Sequence, residues 1–143
     1  MDWVQIEGRS MHPLLLPGDW VGIEWLQPEL PHRHLAGDLV LSKDSDGIWI
    51  VHRLVAATDE GAETFFLKGD SSLEWEKIHS QQIWGKVVAI RGLSRSKISQ
   101  LDHTRLDRWI AYLSYKSAPG KNLRGKFLRL AARALAGLRR SRL

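Results

Sequence analysis

The 143-residue chain contains no cysteine. This absence excludes disulfide bonds, thiolate nucleophiles and cysteine-based metal sites, so stability has to come from packing. The chain also lacks any run of the roughly 18 to 20 apolar residues that a membrane-spanning helix needs. Asp2, Glu7 and Arg9 interrupt the apolar positions near the start, so no signal-peptide pattern is present. We therefore expect a cytoplasmic protein, or one held peripherally at a membrane surface.

Acidic residues are missing from the C-terminal stretch. Residues 116–143 contain nine Lys or Arg and no Asp or Glu, whereas the remaining 115 residues contain 12 basic and 16 acidic side chains. The net charge of +5 is thus confined to the end of the chain. A cationic end on an acidic body indicates an anionic partner, such as phospholipid headgroups or nucleic acid.

Short apolar runs separated by turn residues fill the first two thirds of the chain. With 43% hydrophobic residues and seven Trp, the composition is that of a globular protein. Strands are predicted at 20–25, 38–42, 49–55, 64–68 and 84–91, and turns rich in Gly, Pro or Asp at 17–19, 28–31, 37–38, 44–47, 59–61 and 69–70. Short strands at this spacing predict a mainly β fold, either a meander or a small barrel.

After about residue 95 the apolar period becomes helical. One helix is predicted to start near Asp102 or Thr104, either of which can cap it, and to end before Pro119. A second helix follows from about Asn122. Its apolar face comprises Leu123, Phe127, Leu130, Ala134 and Leu138, with Arg129, Arg133 and Arg140 opposite. We therefore predict a β domain over 1–95 and a helical extension over 96–143.

The basic amphipathic helix, residues 122–142, has two interpretations of equal weight. It either docks on the body through its apolar face or binds an anionic membrane surface. Nucleic acid is disfavoured because no aromatic interleaving or nucleic-acid motif accompanies the basic residues.

Residues 8–13 read GRSMHP and place a serine in a shaped turn. A serine hydroxyl is a weak nucleophile, so catalysis needs a nearby base and a backbone that exposes the oxygen. Gly8 and Pro13 can shape such a turn around Ser10. From these six residues alone, a turn with an incidental serine is the simpler interpretation.

Further blocks follow the serine in a fixed order. They are PGDWV (17–21), AGDLVL (36–41), IVHRLV (50–55), FLKGDSS (66–72) and GKVV (85–88). Together with the serine block they resemble the type I signal peptidase family over about residues 4–92. The resemblance implies a small signal-peptidase-like catalytic domain at 1–95 and a serine endopeptidase that cleaves a peptide or protein precursor.

The resemblance also implies roles for individual residues. Ser10 would be the nucleophile and His52, followed by Arg53, the base, as in the endoplasmic-reticulum and archaeal branch. A histidine base needs an orienting carboxylate, and Asp70 is the first candidate. Two further acids, Glu74 and Glu76, are the alternatives to Asp70.

Some members of the family have a serine at the position of Gly8, so here the oxyanion would be bound by backbone amides, foremost that of Ser10. The resemblance implies no metal or organic cofactor. It implies a substrate that binds as an added strand.

Two alternatives to a peptidase stay open. A non-catalytic peptide-binding module could retain the same fold, with His52 as a core histidine. A self-cleaving regulator related to the SOS repressors would need a DNA-binding domain and a cleavable linker, for which the nine residues before Ser10 leave no room.

The remaining chemistry-bearing residues have simpler interpretations. His12, His32, His34, His79 and His103 are expected in surface loops rather than at a metal. Asp19 and Asp38 are expected to bond to the backbone of turns. Trp3, Trp20 and Trp25 fit a substrate groove, a membrane interface or the core equally well.

Overall fold

A computed structural model describes residues 1–27, 36–57, 63–93, 98–117 and 123–143. The predicted turns at 28–31 and 59–61, the residues His32 and His34, and the predicted domain boundary at residue 95 lie outside the described residues.

Eight antiparallel strands form one sheet. They are β1 (Asp2–Gln5), β2 (Trp20–Trp25), β3 (Leu39–Lys43), β4 (Trp49–Ala57), β5 (Thr64–Lys68), β6 (Glu76–His79), β7 (Ile83–Arg91) and β8 (Ile98–Gln100). The order across the sheet is β1-β2-β7-β3-β4-β5-β6, and β8 also pairs with β7. The mainly β prediction is confirmed. Within the described part of the chain the sheet stays open, so of the two predicted forms the barrel is wrong.

All five predicted strands are present within two residues of their expected ends, whereas β1, β6 and β8 were not predicted. Each of these three strands has only three or four residues. Such short segments carry too few residues to show an alternating pattern. They form strands because a longer neighbour (β2, β5 or β7) offers its edge.

Two C-terminal helices, α1 (Arg105–Ser117) and α2 (Leu123–Ser141), follow the sheet as predicted. Thr104 caps α1: its Oγ1 accepts from the Asp107 N–H at 3.3 Å, and the Asp107 carboxylate accepts from the Thr104 N–H at 3.0 Å. This reciprocal pair satisfies backbone donors that the first turn of a helix leaves open. None of the described helices is long and apolar enough to cross a bilayer.

Both helices share a core with the sheet. Ile110 of α1 and Ala136 of α2 are fully buried in the same apolar cluster as Leu14 and Ile23. Burial of this kind contributes about 25 cal/mol per Å² of apolar surface, so the helices stabilise the body that they cover. Residues 98–117 and 123–143 are therefore a packed layer rather than a loose appendage.

The face that α2 buries differs from the prediction. Ala132 and Ala136 are buried, whereas Phe127, Leu130 and Leu138, all on the predicted apolar face, are 74%, 70% and 45% exposed. Alanines let two helices approach closely, so the helix packs through its small residues and leaves its large ones outside.

Arg140, predicted opposite the face of α2 that carries Phe127 and Leu130, lies against the body. It donates to the Asp19 carboxylate at 2.6 Å and to the Leu14 carbonyl at 2.6 Å. Because Asp19 is almost fully buried, the arginine compensates a charge that would otherwise be left unpaired in the interior.

Candidate active site

Ser10 is half-buried in the turn that follows β1, and the turn after β5 holds it there. The Ser71 N–H donates to the Ser10 carbonyl at 2.8 Å. The Ser71 hydroxyl lies 3.0 Å from the same carbonyl and 2.7 Å from that of Arg9. Two sequence blocks 61 residues apart are thus held together by hydrogen bonds to backbone carbonyls. The Ser10 side chain is not needed for these hydrogen bonds.

Gly69 lies directly against Ser10. A methyl group on Gly69 would stand 2.6 Å from the Ser10 carbonyl oxygen and 2.9 Å from Ser10 Cβ. Only a residue without a side chain allows the two turns to approach this closely. The glycine of the FLKGDSS block therefore allows the turn after β5 to pack against the turn that holds Ser10.

His52 is brought to the same place by strand pairing. The register of β4 with β5 sets Arg53 opposite Lys68, the last residue of β5, so His52 and Gly69 are the next residues along the two chains. Opposed residues of an antiparallel pair have Cα atoms about 4.5 to 5.5 Å apart. Ser10 and His52 are therefore neighbours of one glycine, although 42 positions separate them in the sequence.

The environment of His52 favours its neutral form. Burial lowers the pKa of this histidine below its ordinary value; the negative charge of Asp70 opposes the effect, and the positive charge of Lys68 adds to it. A neutral imidazole is the state that can accept a proton from a serine hydroxyl. The side chain keeps 16% exposure, so the ring is also within reach of solvent.

The two carboxylate candidates have different partners. Both Asp70 oxygens accept from the Arg53 guanidinium, at 2.8 and 2.9 Å. The carboxylate oxygen beside His52 Nδ1 belongs to Glu76, at 3.9 Å. The geometry thus favours the alternative acid, Glu76, over Asp70 as the group that contacts the imidazole, while Asp70 acts on it through charge alone.

The His52 and Glu76 atoms that face each other lack other partners. Within the described residues, neither His52 Nδ1 nor Glu76 Oε1 has a hydrogen bond, and both atoms are buried. Buried polar atoms are nearly always paired, and catalytic contacts often shorten only when substrate binds. Burial together with Asp44 raises the pKa of Glu76, and a hydrogen bond from the imidazole would counter that rise.

A groove of about 730 Å³ begins at Ser10 and runs between two strand edges. One wall is formed by residues 4–8 and the other by residues 47–51. In the described part of the sheet, β1 pairs only with β2, and β4 pairs with β5 only from Arg53 onward. The first half of β4 and the outer edge of β1 therefore present backbone groups that a bound extended peptide could pair with.

The predicted oxyanion residues lie at the end of this groove. Gly8 and Ser10 both line it, and a methyl group at Gly8 would meet no atom within 4 Å. The Ser10 N–H donates to no group among the described residues, so it can serve an oxygen of the substrate. Binding of the oxyanion by the backbone at Gly8 and Ser10 stays a prediction, and the geometry is compatible with it.

Arg53 and Ser71 contact the turns of the candidate site, and the sequence interpretation gave neither of them a role. The position of Arg53 inside the apolar block IVHRLV indicated a buried ion pair, because an arginine is almost never fully buried unless it is paired. Its partners could not be read from the sequence, since they lie 17 and 54 residues away. Nothing in the sequence marks Ser71 as the residue that clamps the serine turn.

The other singled-out residues lie away from this cluster. Asp19 accepts from two backbone N–H groups, of Leu16 and Leu93, as expected for a turn residue. Glu74 is exposed. His79 contacts Glu63 and His103 contacts Asp38. Among the described residues, no group of three or more His, Asp or Glu is arranged to hold a metal ion.

A scan against models of known protein families, a search of curated proteins and a search of solved structures each found no match.

Proposed function

We propose that this protein is a serine endopeptidase of the signal-peptidase type, with Ser10 as nucleophile and His52 as base. The single observation that carries the proposal is that Gly69, which lies against Ser10, directly follows the Lys68–Arg53 pair at the position that the strand register gives to the partner of His52. Ser10 also lines a groove between two strand edges. The order of the GRSMHP, IVHRLV and FLKGDSS blocks supports it, since these blocks are also neighbours in space.

In the proposed reaction the substrate lies in the groove as an extended strand. His52 removes the proton from Ser10 Oγ as this oxygen attacks the scissile carbonyl, and the Ser10 N–H binds the developing oxyanion. The imidazolium then protonates the leaving amine, and water hydrolyses the acyl-enzyme with His52 again as the base. Glu76 would hold the ring and stabilise its charged form.

Incubation with a peptide library made from a digested cell extract tests this function. We expect wild-type protein to generate new peptide ends, detected by mass spectrometry, and Ser10→Ala to generate none of them. Ser141→Ala, an exposed serine at the end of α2, should behave as wild type. Peptide binding without any Ser10-dependent cleavage would instead support the non-catalytic binding module.

We also propose that α2 attaches the enzyme to an anionic membrane surface. The observation that favours this role is the exposed apolar stripe of Phe127, Leu130 and Leu138 on a helix without any acidic residue. Large apolar side chains beside basic ones are typical of helices that lie in the headgroup region. Docking on the body does not compete with this role, because the helix docks through its other face.

Co-sedimentation with phosphatidylglycerol-containing vesicles tests the attachment. Phe127→Ser with Leu130→Ser should lower binding at least about tenfold, since each buried apolar side chain contributes about 1.5 kcal/mol or more. Leu93→Ser is the matched control. Leu93 is 71% exposed, but it lies outside α2, in the turn after β7. Unchanged binding of the double variant would contradict the attachment. Point variants are preferable to removal of α2, which would also strip Ala132 and Ala136 from the core.

A further inference from the structure

A second cavity, of about 280 Å³, lies between α2 and the turn that follows β5. Its α2 wall carries Lys126, Arg129 and Arg133. These positions are three and four residues apart, so the three cationic side chains point from one face of the helix. The opposite wall is formed by residues 70–73.

The charge in this cavity is unbalanced. Asp70 is the one carboxylate among the residues that line it, and both of its oxygens are taken by Arg53 on the interior side. Within the described chain neither Lys126 nor Arg133 forms an ion pair, and both are exposed. Several cations around a concave space without a free anion attract a negatively charged group.

The position of the cavity relates it to the candidate active site. Ser71 lines the cavity and also holds the Ser10 carbonyl through its N–H. The groove beside β4 and this cavity share no lining residue. Ser10 connects them, because it lines the groove and its carbonyl is bonded to Ser71 in the cavity wall. Ser10 therefore lies between the groove and the wall formed by residues 71–73.

The positive charge of Arg129 on α2 also acts on Lys68, a buried residue next to this wall. Burial lowers the pKa of Lys68, Asp70 opposes the effect, and Arg129 adds to it. The helix is thus close enough to act electrostatically on the residues beside the catalytic pair.

We infer that this cavity is a specificity subsite for an acidic residue of the substrate, on the side of the scissile bond that leaves the groove. The inference rests on the proposed peptidase function. Lys126 and Arg133 would contact the substrate carboxylate, and exposed Leu73 and Leu130 would contact its aliphatic part.

The cleavage positions in the same peptide library, profiled in buffer without lipid, test this subsite. Wild-type protein should cut peptides with Asp or Glu at one fixed position, on only one side of the bond, about fivefold more often than expected by chance, which corresponds to a partly exposed ion pair. Lys126→Glu with Arg133→Glu should abolish that enrichment or replace it by Lys and Arg. Arg142→Glu, a single charge reversal just beyond the end of α2, should retain it.

The outcomes separate this inference from the function on which it rests. Cleavage that depends on Ser10 but shows no acidic enrichment, or enrichment that survives the double charge reversal, overturns the subsite and leaves the peptidase intact. If the reversal weakens only vesicle binding, the cations serve lipid headgroups and the subsite is wrong. Absence of any Ser10-dependent cleavage overturns both.

Discussion

Replacing Arg53 by leucine is expected to destabilise the protein by about 3 to 5 kcal/mol, the usual cost of breaking a buried ion pair from one side. Arg53 is fully buried. It donates to both oxygens of Asp70, to the Gly37 carbonyl at 2.9 Å and to Asp107 at 3.3 Å. Leucine would leave the buried Asp70 carboxylate without its paired cation and would remove one of the two cations that contact Asp107. Because whole domains are stable by only about 5 to 15 kcal/mol, one substitution would remove a large part of that stability.

The charge on Arg53 is held firmly by its surroundings. Burial works against the charged form, but Asp70 and Asp107 overcome it and keep the pKa of Arg53 above its ordinary value. Asp70 belongs to the turn that clamps Ser10, and Asp107 to the first turn of α1. Loss of the guanidinium should therefore loosen the serine turn and the helical layer together.

Urea denaturation followed by tryptophan fluorescence measures this effect. Arg91→Leu is the matched control, because Arg91 is half-buried and its guanidinium lies over the rings of Trp3 and Trp20, at 5.2 and 5.4 Å. Such contacts contribute about 0.5 to 1 kcal/mol. Arg53→Lys keeps a charge but cannot bind both Asp70 oxygens side by side, so it should fall between the two. Equal stability of Arg53→Leu and wild type would contradict the role assigned to this residue.

The longer strands could be predicted from the sequence because each contains enough apolar residues to show both that it is a strand and that it is buried. The block IVHRLV is a short run rich in Val, Ile and Leu, so its strand was visible without its neighbours. In contrast, β6 carries Glu76 on a four-residue strand that exists through pairing with β5. The residue that approaches His52 was therefore placed by tertiary pairing, which sequence spacing does not report.

The choice between Asp70 and Glu76 shows the same limit. The resemblance pointed to Asp70, and Asp70 does lie beside His52 closely enough to affect its pKa. What the sequence could not show is that Arg53, the next residue on the strand, turns to the opposite face and takes both Asp70 oxygens. Competition for a carboxylate depends on which cation is buried with it, and burial is a property of the fold.

The two apolar faces of α2 could not be ranked from periodicity. Phe127, Leu130 and Leu138 are larger than Ala132 and Ala136, so a scale of hydrophobicity selects the wrong face as the buried one. The helix packs through alanines because Arg139 and Arg140 then reach Asp107 and Asp19. Buried charge pairing, in addition to apolar area, decides which side of the helix is inside.

Substitution of His52, the proposed base, and of the two carboxylates separates the roles proposed for them. His52→Ala should lower kcat/KM by about 10²- to 10⁴-fold, the range of a positioned general base, with little change in the free energy of unfolding. Glu76→Gln should lower kcat at least about tenfold while the fold stays intact, because the amide cannot stabilise the imidazolium. Asp70→Asn should act mainly on stability, since it leaves Arg53 with a neutral partner.

The pH dependence of kcat/KM distinguishes an orienting carboxylate from a structural one. His52 accepts a proton only when it is neutral, and burial lowers its pKa below the ordinary value of about 6.5. Activity should therefore be retained at neutral pH and lost as the pH falls through that lowered pKa. If Glu76 contacts the ring as a carboxylate, Glu76→Gln removes a nearby negative charge, lowers the pKa of His52 further and moves the acid limb to lower pH. Profiles recorded at several substrate concentrations for wild type, Glu76→Gln and the exposed control Glu74→Gln measure this shift. An acid limb that stays in place in Glu76→Gln would contradict the contact with Glu76. A shift in Asp70→Asn is expected in either case, because the charge of Asp70 already acts on the ring.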